Sequence, residues 1–112
     1  MGILKNMSIK STAKKRARQL IQIIEEYPET NPMETLKTYI KSVEYVGGQK
    51  LNIQEGDYTN LYELFLLLVM LMIKDELSYD PSMGCREDGE LIKQVVDQEV
   101  SDWKRRLKIV NS

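Results

Sequence analysis

The sequence predicts an all-α protein, a four-helix bundle-like single domain spanning residues 1–112. Three observations point there. Apolar residues recur at three- and four-residue spacing in the first, second and last segments. Pro28, Pro81 and the paired Gly47-Gly48 fall between segments, where helices stop, and Pro32 falls where one starts. Between them Leu64 to Ile73 reads LFLLLVMLMI, an apolar run with no polar face at any period. A helix in a small globular protein ordinarily hides one stripe. A helix apolar all round therefore belongs at the centre of the bundle or at an oligomer interface.

The first helix is expected over about residues 9–27, after a flexible lead of residues 1–8. Ala13, Ala17, Leu20, Ile24 and Tyr27 share one face, with Ile21 beside them. Ser8 or Ser11 is placed to cap the start, and Pro28 forces the end. The second helix, about 32–46, opens on Asn31-Pro32-Met33-Glu34: an N-cap, a proline at the first helical position, and a glutamate placed to reach back. Met33, Leu36, Ile40 and Val43 follow at helical spacing, with Tyr39 alongside, and Gly47-Gly48 supplies the stop.

Residues 49–59 read as a connection. Leu51 and Ile53 alternate with polar residues, which makes 49–54 the one stretch with strand character, and Glu55-Gly56-Asp57 reads as a turn. The third helix, about 60–78, starts with Asn60 and Glu63 in capping-box register and contains the apolar run. DPSMGCREDG at 80–89 is a polar loop. The last helix, about 88–110, carries Ile92, Val96, Val100, Trp103, Leu107 and Val110 on one face, widened by Leu91 and Val95. Trp103 reads as a core anchor whose indole N–H needs an acceptor.

Composition narrows the chemistry. The chain has no histidine, so the commonest general base and metal ligand is missing. Cys85 is the only cysteine, which excludes an intrachain disulfide and a structural zinc site within one chain. No phosphate-binding glycine loop and no EF-hand spacing occur. Glu87, Asp88 and Glu90 cluster in the last loop without a partner base. Catalytic, cofactor and metal sites are all expected to be absent, and a thiol role for Cys85 lacks an accompanying base. A reducing compartment, cytoplasmic or nuclear, fits the single cysteine. The apolar run is too short to span a bilayer, which takes about 20 residues, and no secretory leader is expected. Gly2 suits myristoylation, but Asn6 stands where serine or threonine is usual.

Charge is segregated although the net is −1. Residues 1–24 hold Lys5, Lys10, Lys14, Lys15, Arg16 and Arg18 and no acid. Residues 25–102 hold all 17 acids. The terminal Lys104, Arg105, Arg106 and Lys108 suit a helix C-terminus. Lys10, Lys14, Lys15, Arg16 and Arg18 are the candidate contacts for an anionic partner, nucleic acid or an anionic membrane surface. The competing reading pairs them with the acidic middle of the same chain. Placed in the first turns of a helix, these cations would oppose its dipole.

The functional expectation is a small, non-enzymatic interaction, adaptor or accessory regulatory protein, a class that includes viral and phage accessory proteins. It would act on a protein partner or as a homo-oligomer. Leu61, Phe65, Leu68, Met70 and Met72 of the apolar helix are the candidate interface, methionine suiting an adaptable contact. The alternative is nucleic-acid or membrane-surface binding through the basic first helix.

Overall fold

A computed structural model describes residues 2–43, 45–46, 49–50, 53–77 and 86–111, with side chains described for 7–43, 53–54, 56–77 and 86–106. It is all-α and bundle-like, with helices α1 (Gly2–Glu25), α2 (Pro32–Ser42), α3 (Leu61–Leu77) and α4 (Arg86–Asn111). Two short strands, β1 (Tyr45–Val46) and β2 (Gln49–Lys50), pair antiparallel between α2 and α3, with Tyr45 opposite Lys50 and Val46 opposite Gln49. The long dimension of 45 Å is close to the length of α4, about 39 Å at about 1.5 Å per residue.

α1 starts at Gly2 rather than near Ile9, so Ser8 and Ser11 lie inside the helix instead of capping it. Nothing in Gly2–Ser8 breaks a helix, and Ile9 is fully buried and anchors that end to the core. Ile9, Ala13, Ala17, Leu20, Ile21 and Ile24 form the buried stripe. Ala13 and Ala17 are small, which lets neighbouring helices approach closely. The helix ends at Glu25. There the Glu26 N–H is shared between the carbonyls of Gln22 and Ile23, and Tyr27 N–H bonds Ile24 O at 3.1 Å. The last turn tightens to three-residue bonds, as helix ends commonly do. Tyr27, expected on the buried face, is consequently 56% exposed.

α2 is capped as its sequence implies. The Asn31 side chain accepts from Met33 N–H at 2.9 Å and Pro32 holds the first helical position. Glu34 faces Lys37 at 3.7 Å. The helix stops at Ser42, short of Gly47-Gly48, with Val43 N–H and Ser42 Oγ both bonding Tyr39 O. In the sequence Gly47-Gly48 falls between β1 and β2, and a Gly-Gly pair is as much a hairpin signal as a helix stop. Gly47, Gly48 and Leu51 themselves lie outside the described residues, as does Cys85.

At α3 the Asn60 side chain accepts from Glu63 N–H at 2.9 Å, while Glu63 Oε1 accepts from the N–H and hydroxyl of Thr59 at 2.7 and 2.8 Å. These bonds hold the Glu63 carboxyl below its ordinary pKa. α4 starts at Arg86, which places Glu87, Asp88 and Glu90 on its first turns instead of in a loop. Acids at a helix N-terminus complement its dipole. Ile92, Val95, Val96, Val100 and Trp103 are buried; the side chains of Leu107 and Val110 lie outside the described set.

α1 makes the most extensive helix packing, on α4, then α3, then α2. α3 meets α1, α4 and β1. Its apolar run is therefore divided. Leu64, Phe65, Leu68, Val69 and Ile73 are buried, whereas Leu66, Leu67, Met70, Leu71 and Met72 are half-buried. Each fully buried leucine or phenylalanine contributes about 1.5–3 kcal/mol, so the inner half of the run carries most of its energy. Phe65 meets Trp103 across the α3–α4 contact, ring centroids 6.3 Å apart and planes tilted by 45°, within the favourable aromatic range. The Trp103 indole N–H is buried and meets no acceptor among the described residues, at a cost of about 1–3 kcal/mol.

Candidate interaction site

The five basic candidates stand along the middle of α1. A helix dipole acts within the end turns, so with the start at Gly2 the expected opposition between these charges and the dipole does not arise. Three of the five are engaged internally. Lys15 Nζ donates to Glu76 Oε1 at 2.6 Å, and Arg16 lies 3.4 Å from Glu76 Oε2. Arg16 also donates to Gln19 Oε1 at 2.7 Å. Arg18 Nε donates to Glu99 Oε1. Glu76 closes α3 and Glu99 lies on α4, so these bonds tie α1 to both neighbours. The hydrogen bond from Lys15 holds the Glu76 carboxyl below its ordinary pKa, with the Arg16 charge adding to it against a smaller opposing effect of burial.

Lys10 and Lys14 are exposed and make no ion pair among the described residues. They stand one turn apart on the same side of α1. Glu99 and Glu76 were not distinguishable from the other acids in the sequence. Each is far along the chain from its partner, and only the excess of acid in the middle hinted at such pairing.

A cleft of about 560 Å³ follows the α1–α4 seam, lined by Arg18, Gln22, Glu25, Glu99, Asp102 and Arg106. Its charges are of both signs and pair across the two helices: Arg106 lies 3.7 Å from Glu25, and Arg18 meets Glu99. The seam is thus an interhelical charge ladder. Tyr62 adds a link between α3 and α4 by donating to Lys93 O at 3.3 Å. Burial, then the nearby Asp97 and Glu90 charges, raises its pKa.

Among the apolar candidates, Phe65 and Leu68 are buried inside the chain at 0% and 3% exposure and are not available to a partner. They point inward because they share a face with Leu64, Val69 and Ile73, the side of α3 that α1 and α4 cover. Leu61, Met70 and Met72 are half-buried at the core margin. At about 100° per residue, Leu67 and Leu71 fall on the side of the helix opposite Phe65 and Val69. These two residues, not singled out from the sequence, form the outward apolar face of α3 together with Leu66 and Met70. Glu63 and Lys74 bracket it.

No family of known proteins, no curated protein and no solved structure matches this chain. Its reading therefore rests on its own geometry. No group of three metal-ligating side chains occurs among the described residues. No helix among them is long and apolar enough to cross a membrane.

Proposed function

We propose that the chain is a small, non-enzymatic helical interaction protein, an adaptor or accessory regulator that works by contact with a protein partner or a second copy of itself. The observation that carries this reading is the outer face of α3. Leu66, Leu67, Met70 and Leu71 are half-buried although the rest of the bundle is in place. Completing the burial of such side chains is favourable, at about 25 cal/mol per Å² of apolar surface removed from water. Methionine in the patch suits a contact that adapts to its partner. A reducing compartment, cytoplasmic or nuclear, fits the single cysteine.

Sedimentation of the wild type and of the Leu67→Lys, Leu71→Lys double variant tests the reading. The wild type is expected to exceed the monomer mass of 13.0 kDa, or to hold a partner that the variant releases. The variant keeps the wild-type melting temperature, since neither position is in the buried core. A monomeric wild type with the same partners as the variant overturns the reading.

A second reading rests on Lys10 and Lys14, exposed and without a described partner. With Lys15 and Arg18, whose side chains remain 57% and 62% exposed, they offer a basic strip to a phosphate-bearing polymer or surface. Retention on phosphocellulose at low salt, falling steeply as salt rises, is the expected behaviour, and Lys10→Glu with Lys14→Glu removes it. Passage of the wild type without retention overturns this second reading.

A further inference from the structure

The C-terminal end of α1 carries charge of the wrong sign for a helix. The carbonyl end of a helix is partially negative and favours cations, yet the last turn of α1 has no basic residue, Glu25 closes the helix, and Glu26 and Glu29 follow it in the chain. Arg106 offsets Glu25. Glu26 and Glu29 are exposed and form no ion pair among the described residues.

Glu26 lines a cleft of about 460 Å³ between this end of α1 and α2. Tyr27 and Tyr39 line it as well, with Ile23 adding apolar surface and Thr30 and Thr38 adding hydroxyls. Tyr27 is one of the large apolar side chains left mostly exposed, and the early end of α1 is what leaves it there. Neither Lys37 nor Lys41 of α2 lines the cleft, although Lys41 stands one turn from Thr38. The cleft thus combines a carboxylate, two aromatic rings, neutral hydroxyls and the negative end of a helix, with no cation lining it.

We propose that this cleft receives an arginine side chain from a protein partner. A guanidinium stacks on the face of a tyrosine ring and donates through a planar fork, so it meets both the rings and the Glu26 carboxylate. Its remaining N–H groups reach hydroxyl oxygens such as those of Thr30 and Thr38. An anionic group would meet Glu26 and the carbonyl end of α1. A purely apolar group would remove Glu26 from water without a partner. The cleft is a different surface from the outer face of α3, and a failure at either leaves the other standing.

The test is a titration of the isotopically labelled full chain, followed by amide NMR. The probe is a capped peptide with one arginine between glycines and serines, compared with its glutamine and leucine counterparts. The arginine peptide is expected to move amides within residues 23–42 in a saturable way, and the glutamine peptide to leave them in place. Tyr27→Ala and Glu26→Gln, both at exposed positions, each weaken binding by about threefold to tenfold. Tyr27→Phe keeps it, because the ring and not the hydroxyl does the binding. Circular dichroism confirms that the variants keep their helices. Equal shifts from the glutamine or leucine peptide, unsaturable shifts spread over the acidic surface, wild-type binding by the two weakened variants, or no shift at all would each overturn the proposal.

Discussion

Lys15 and Arg18 occupy the same helix and both meet a carboxylate, but in different surroundings. The Glu76 side chain keeps 29% of its surface and the Glu99 side chain 9%. An exposed pair contributes about 0.2–1 kcal/mol, so Lys15→Ala should cost little. Arg18→Ala leaves a nearly buried carboxylate without its partner and should cost about 1–2 kcal/mol after screening at the exposed guanidinium is allowed for. Urea denaturation of the two variants gives the comparison, with Arg18→Ala expected to be the more damaging. Glu76 makes the stability pH-dependent. Its pKa in the folded chain lies below the ordinary value of 4.5, so the folded state binds the proton less tightly than the unfolded one. The contribution is fully present above the unfolded pKa and disappears as pH falls through the folded value. Glu76→Gln should therefore flatten the fall in urea midpoint between about pH 6 and about pH 3. An unchanged acid limb would show that the Lys15 bond contributes nothing in solution.

Helix ends show which parts of the fold are legible from local chemistry. Asn31-Pro32 and Asn60 with Glu63 mark the starts of α2 and α3 because capping bonds connect residues two to four apart. The start of α1 was not legible, since Gly2–Ser8 carries neither a cap nor a breaker, and burial of Ile9 by distant helices settles it. Gly47-Gly48 was ambiguous in principle, glycine pairs serving helix stops and hairpins alike. The helix faces followed from periodicity, so the buried stripes of α1 and α4 were readable. The side of α3 left half-buried was not, because a run apolar at every position carries no phase. The pairings of Lys15 with Glu76 and Arg18 with Glu99 likewise depend on which helices come together. Within α4, Gly89 offers an element-scale prediction. A Cβ built there meets nothing within 4 Å, and glycine in a helix is about 0.5–1 kcal/mol worse than alanine. Gly89→Ala should raise stability by about that amount, measured as a higher urea midpoint with an unchanged slope.

On the scale of the whole molecule, α1 is the structural hub as well as the basic helix. Removing residues 1–18 deletes Ile9, Ala13 and Ala17 from the core together with the Lys15 and Arg18 bonds. For a domain whose total stability is about 5–15 kcal/mol, the truncated chain should lose its cooperative thermal transition, observable by calorimetry. A sharp transition in the truncated chain would show that the first half of α1 is dispensable. The hub position of α1 also has a consequence in time. Its main packing partner is α4, and Arg18 and Glu99 lie 81 residues apart in sequence. At about 5–20 residues per second, ribosomal synthesis separates the two by about 4–16 s. During that interval α1 is a nascent amphipathic segment, positively charged and without the helix that covers most of its apolar stripe. The bundle closes only when its last helix has emerged.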